Sequence, residues 1–285
     1  MNQSVLSFGP ADSLTGVFSQ PERASDCSEQ PPIAIILNAG VVHRSGPFRL
    51  HVDIANKLSD LGYACLRLDL SGLGDSVVRT DVAQDQNRAA LDVADAMDAL
   101  EQETGNKRFV LLGLCSGAYN AHQIALEDDR VVGCVFMDGL VYRTRRHYLR
   151  TAIHRATSPR YMRNALRRRL LADEIGQTDP TVPTAAEFFE VDKSERCVAS
   201  EIETMLQSGK QLLFTFTQGC AEISSRSQFR EMYGLDPGNA SLQVEYFDNF
   251  EHTFPIVAQR NTIVNRVGQW FSDRFSIAGQ HCLPT

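Results

Sequence analysis

Residues 109–126 read FVLLGLCSGAYNAHQIAL. Phe109 to Leu114 form a short, unbroken apolar run, as in a strand buried on both faces. The run meets G-x-C-x-G at Gly113, Cys115 and Gly117, and a helical apolar pattern follows. Strand, sharp turn and helix with a nucleophilic side chain at the bend make a nucleophile elbow. Side chains flanking the bend would clash, which accounts for the two glycines. The turn lifts Cys115 to the N-terminus of the following helix, where the macrodipole favours a thiolate. Ser116 is the weaker candidate, because centring the motif on it puts Leu114 and Ala118 where glycines belong.

The same alternation extends in both directions. Upstream, 1–20 suggests two short strands about the Gly9-Pro10 turn, 32–38 (PIAIILN) a buried strand, 48–61 a helix ended by Gly62, 63–70 a strand and 87–104 a helix. Downstream come a strand at 131–137, then 211–217, 225–233, 242–247 and a helix at 255–275 whose apolar residues keep i, i+3/4 spacing. Repeated strand–helix–strand units imply an α/β fold: a mostly parallel sheet with helices on both faces.

Residues 141–208 interrupt the pattern. Within them, 141–175 carry ten arginines, no lysine, and only Asp173 and Glu174 as acids. The reading is therefore a core of 1–140 and 209–285 with a helical, Arg-rich cap inserted at 141–208. The whole chain has a formal charge of −7, so without that segment it stands near −15. A cap so positive against so negative a body attracts an anionic substrate, such as a phosphopantetheine phosphate or an acidic carrier protein. The alternative is a solvated helical face whose long stems cover apolar surface.

Composition bounds the function classes. With 285 residues, 43% hydrophobic and 22% charged, the chain is an ordinary globular protein, not a disordered one. The acidic balance argues against general nucleic-acid binding. No apolar run approaches the ~18 residues of a membrane span, and the opening MNQSVLSFGPADS lacks the pattern of a secretory leader. Seven cysteines without a C-x-x-C pair suggest reduced thiols in a cytoplasm. No metal-ligand cluster is legible. Gly72-Leu73-Gly74 in DLSGLGDS lacks the third glycine of a dinucleotide fingerprint, so no cofactor is expected.

The chain resembles the α/β-hydrolases over nearly its whole length, with an insertion where those enzymes carry a cap. The stretches ILNAGVVHRSGPFRL, LRLDLSGLGDS and GLCSGA resemble exosortase-A-associated hydrolases, and the cysteine elbow is similar to that of dienelactone hydrolases. The resemblance implies the order nucleophile, acid, histidine. His252, after the last strand and before the last helix, is the histidine at the base's position. For the acid it implies Glu222, three residues after Gly219, with Asp248 and Asp138 as alternatives. The oxyanion amides would be those of Ser116 and, by similarity to a His-Gly-x turn, Val41 in Ala39-Gly40-Val41. His43 and Arg44 beside that turn are expected to line the substrate pocket.

The implied reaction is two-step acyl transfer through an acyl-Cys115 thioester, favouring thioesters and activated esters over amides. Water as acceptor gives an esterase or thioesterase, ranked first; an alcohol or amine gives an acyltransferase. A catalytically silent binding or scaffold member is the remaining class.

Overall fold

In the computed structural model, residues 2–22, 30–82, 87–157, 193–236 and 239–275 are described. Eight strands form one sheet: β1 (Asn2–Phe8), β2 (Leu14–Gln20), β3 (Ile33–Ile36), β4 (Cys65–Asp69), β5 (Phe109–Leu114), β6 (Val131–Met137), β7 (Gln211–Thr217) and β8 (Leu242–Phe247), in the order β1-β2-β4-β3-β5-β6-β7-β8. The two N-terminal strands pair antiparallel with each other, and β2 runs antiparallel to β4. All the pairs from β4 to β8 are parallel. This is the mostly parallel α/β sheet expected from the alternation, in the arrangement that the α/β-hydrolase resemblance implies.

Period-two alternation sorts the central strands between two cores. Ile33, Ile35, Phe109, Leu111, Cys134, Phe136, Leu212 and Phe214 face one side, where helices α2 (Arg88–Thr104), α3 (Ser116–Glu127) and α5 (Glu195–Gln207) cover them. Ala34, Ile36, Val110, Leu112, Val135 and Leu213 face the other, under α1 (Leu50–Asp60) and α7 (Val257–Arg274). The strands are buried on both faces because helices cover both, which explains their unbroken apolar sequences. The phenol of Tyr63, just before β4, donates to the Phe271 and Phe275 carbonyls at 3.1 and 2.7 Å, clamping the end of α7 to the sheet.

The stretch 141–208 divides. Helix α4 (Arg145–Thr157) starts it, residues 158–192 lie outside the described residues, and α5 ends it as the crossover into β7. Val198, Ile202 and Met205 of α5 join the same core as α2 and α3, so its apolar stripe seats it on the sheet. Helix α6 (Gln228–Tyr233) follows β7. Among the described residues, no helix is long and apolar enough to cross a membrane.

Candidate active site

Cys115 sits between β5 and α3 with φ 57° and ψ −116°. A non-glycine residue at such a dihedral is strained, and strain of this kind persists only where the surroundings fix it. They do. The Cys115 N–H donates to the Met137 carbonyl of β6 at 2.9 Å. A Cβ on Gly113 would overlap the backbone of Gly117 and Ala118, and one on Gly117 would lie 2.6 Å from the Asn38 carbonyl oxygen. The glycines are thus demanded by backbone crossing backbone at the elbow.

His252 comes from the loop between β8 and α7. Its Nδ1 donates to Asp138 Oδ2 at 2.9 Å. The hydrogen bond to Asp138, and then one to Cys115, push the imidazole up to about 10, against the opposing pull of its partial burial. The carboxylate thus favours the protonated form of the ring, which stands between it and the elbow.

Asp138 follows β6 directly and, like Cys115, carries a positive φ, 45°. Its side chain is fully buried. The Thr217 N–H donates to Oδ1 at 2.6 Å and the Thr217 hydroxyl to Oδ2 at 2.5 Å, while the Asp138 N–H donates to the Thr215 carbonyl at 2.9 Å. The carboxylate is thus fixed from β7 and aimed at His252.

The loop carrying His252 is fixed just as firmly. Phe254 is fully buried, Phe247 and Phe250 stack at 5.0 Å, and the Gly219 N–H donates to the Phe250 carbonyl at 2.8 Å. A Cβ on Gly219 would crowd the backbone of Glu251 and His252. Glycine there lets the loop after β7 lie flat against the histidine loop.

The sequence-derived acid does not stand beside the histidine. Glu222 turns outward to Arg143 at 3.0 Å and accepts from the Cys220 thiol at 3.5 Å. Asp248 is exposed and faces Arg226 at 3.5 Å. The carboxylate on His252 is Asp138, the site after β6 that the sequence leaves open. Two neighbours escaped the sequence reading: Thr217, which anchors Asp138, and Cys220, whose sulfur lies within 4.8 Å of ligand atoms of Asp138 and His252. Position alone gave a hint, since both lie just where β7 ends.

The loop after β3 is tied to the elbow by the Gly40 N–H, which donates to the Ser116 hydroxyl at 2.8 Å. Asn38 supports it from beneath, donating to the Val42 carbonyl at 2.8 Å and to Asp69 at 3.0 Å. Ser116 is the first residue of α3, where N–H groups have no intrahelical partner. Val41 and Ser116 both line a cavity of about 680 Å³, together with Val42, Leu70, Leu73 and Ala89.

His43 and Arg44 do not line that cavity. Arg44 is spoken for, its guanidinium on Asp69 and, at 2.7 Å, on Asp75, and its N–H on Asp69 at 2.6 Å. The turn of DLSGLGDS exists for this pairing: a Cβ on Gly74 (φ 52°) would strike the Asp69 carboxylate. His43 lies 3.6 and 3.7 Å from the same two carboxylates and is half exposed.

Two groups of potential metal ligands occur among the described residues: Asp138, Cys220 and His252, and His43, Asp69 and Asp75. In the first, an ion would compete with the Asp138–His252 hydrogen bond. In the second, the Arg44 guanidinium already supplies the cation.

The family model for the alpha/beta hydrolase family matches residues 36–238. No curated protein matches the sequence. Among solved structures, the alpha/beta hydrolase GrgF from Penicillium sp. sh18 is similar at TM-score 0.61 and 16% identity, over 97% of this chain and 100% of its own. An esterase from Pyrococcus furiosus gives 0.61 and 16%, over 96% and 92%. An alpha-beta serine hydrolase homologue from Coxiella burnetii gives 0.57 and 12%, over 94% and 96%. At such identities the likeness is one of fold, and the match over most of the sequence gives the family: the chain belongs to the alpha/beta hydrolases.

Proposed function

We propose that this alpha/beta hydrolase cleaves ester or thioester bonds through an acyl-Cys115 intermediate. The observation that carries the reading is one arrangement: a sulfur on a strained elbow, an imidazole whose protonation that sulfur favours, and a buried carboxylate 2.9 Å behind that imidazole. The Cys115 thiolate attacks the carbonyl carbon, and the oxyanion is received by the amides of Ser116 and Val41. His252, already an imidazolium, gives its proton to the leaving group as the carbon–heteroatom bond breaks. It then takes a proton from the incoming acceptor, whose attack releases the acid or ester and restores the thiolate. Asp138 keeps the ring in position and offsets its charge.

The preference for thioesters and activated esters follows from the intermediate, because exchange of one thioester for another is nearly isoenergetic. The exosortase-A-associated subfamily and a cytoplasmic setting fit the motifs and the odd cysteine count. An alcohol or amine in place of water would make the same machinery an acyltransferase.

Intact-protein mass spectrometry after incubation with acyl thioesters and esters tests the reading. The expected result is a mass increase equal to the acyl group on the wild type and none on Cys115→Ala. Decay of the adduct in buffer alone identifies water as acceptor; decay only with added amine or alcohol identifies transfer. A wild type that never acquires the mass, with Cys115 alkylating no faster than free thiol, sinks the proposal in favour of a silent scaffold.

A further inference from the structure

Two recesses lie on opposite sides of β5 in the strand order, one of them lined by Ser116 next to Cys115. The apolar cavity lies toward β3 and β4, among the segments that follow them. On the β6–β7 side, a cleft of about 730 Å³ is lined by Arg143, Arg145, Arg146 and Arg230, with Glu195 and Glu231 as its acids.

The charges there are unevenly used. Glu231 is saturated: Arg150 holds it at 2.9 and 3.0 Å, and the Thr144 and Ser227 hydroxyls donate at 2.9 and 2.8 Å. These partners, Arg150 foremost, bring its carboxyl down to about 2. Arg143 pairs with Glu222, and Arg146 only grazes Glu231 at 4.0 Å. The guanidinium groups of Arg145 and Arg230 make no ion pair among the described residues.

Arg145 and Arg146 are also placed against the helix field. They open α4, whose first turn holds no acid, although a helix N-terminus favours anions and penalises cations. An anion bound in the cleft would relieve both the crowding of like charges and the clash with the dipole. The cationic side chains are all arginines, whose planar forks match a tetrahedral, multiply charged oxyanion better than a lysine point charge does.

A short chain of contacts joins this cleft to the reacting groups. Arg143 touches Glu222 at 3.0 Å, Glu222 touches the Cys220 thiol at 3.5 Å, and Cys220 lies within 4.8 Å of His252 and Asp138. We infer that the Arg143–Arg145–Arg146–Arg230 cleft binds the phosphate of a phosphorylated thiol leaving group of the phosphopantetheine type, while the acyl chain enters the apolar cavity across β5. The inference rests on the acyl-Cys115 reading and adds the substrate class to it.

The test compares kcat/KM for one acyl group on phosphopantetheine and on N-acetylcysteamine, which ends before any phosphate. The wild type is expected to favour the phosphorylated thioester by about 10- to 100-fold, the range of one or two charge-assisted hydrogen bonds. In Arg145→Ala/Arg230→Ala the ratio is expected to fall toward one. A wild-type ratio near one, or a ratio that survives the double substitution, overturns the assignment. Coenzyme A and carrier-protein thioesters run in parallel tell which source the site serves. A preference for either that the double substitution removes supports the site. Calorimetry of phosphopantetheine with Cys115→Ala, repeated with both arginines also replaced, needs no turnover. Binding lost with the arginines supports the cleft even where no thioester is cleaved, which would count against acyl transfer alone. Equal cleavage of both thioesters through Cys115 overturns the cleft and leaves acyl transfer standing.

Discussion

Asp69 and Asp138 make an instructive pair. Each lies at the C-terminal end of a parallel strand, each is fully buried, and each holds a cation delivered by a distant loop. Asp69 meets Arg44, whose charge is permanent and whose other fork is taken by Asp75. Both ends of its fork and its main-chain N–H are engaged, and the result is a rivet that shapes the loop after β3. Asp138 meets His252, whose proton can leave and whose remaining nitrogen faces a sulfur. Burial and pairing are common to both; what differs is whether the partner has a bond left to make. That distinguishes a carboxylate locked into structure from one placed where chemistry could use it.

The contrast breaks first, and hardest, at Asp138. Asp138→Asn is expected to lower kcat on a thioester by roughly 10³- to 10⁴-fold, as when a triad carboxylate is made neutral. Glu222→Gln should stay within about threefold of wild type, the ordinary range for an exposed pair. Steady-state kinetics on both variants decide it, and a reversed order would return the acid's role to Glu222.

Asp69→Asn should instead appear as lost stability. Breaking a buried ion pair costs about 3–5 kcal/mol, to be read from the urea midpoint. A variant of wild-type stability would show that the rivet holds nothing.

The titration of His252 sharpens the same comparison. Its folded value is raised from 6.5 to about 10, so its stabilising contribution is complete below pH 6.5 and is lost as pH rises through 10. The stability gap between wild type and His252→Gln should therefore shrink steadily over that window. No such window is expected for Arg44→Gln, since a guanidinium does not titrate there. The imidazole NMR titration in Asp138→Asn should move back toward the ordinary histidine range.

The smallest effect concerns the tie between the two loops. Ser116→Ala removes the acceptor of the Gly40 N–H and is expected to cost about 1 kcal/mol, measurable by thermal denaturation. A larger fall in kcat than in stability would indicate that the hydroxyl orients the Val41 amide.

The sheet was legible in the sequence because its strands are buried on both sides and bounded by glycine-rich turns. Runs such as FVLLGL and VVGCVFM admit few other readings, and β6 and β7 coincide with the segments expected from sequence. The elbow was legible because backbone crossing backbone leaves only glycine as a neighbour. The carboxylate beside His252 was not. Asp138 and Glu222 both follow strands, and nothing local distinguishes them. The choice depends on Thr217 turning two donors toward one of them and on Arg143 drawing the other outward. Arg44 misled for a related reason: a cation beside a catalytic loop looks like a substrate contact until Asp69, 25 residues on, is seen to claim it.

The main-chain bond from Cys115 to Met137 ties the sulfur's perch to β6, whose next residue is Asp138. The spacing of Cys115 and Asp138 is thereby inherited from the pitch of adjacent strands, about 4.8 Å. That pitch is the least adjustable length in the molecule. Side chains lining the recesses on either side can therefore be exchanged without moving the two backbone positions that this bond joins.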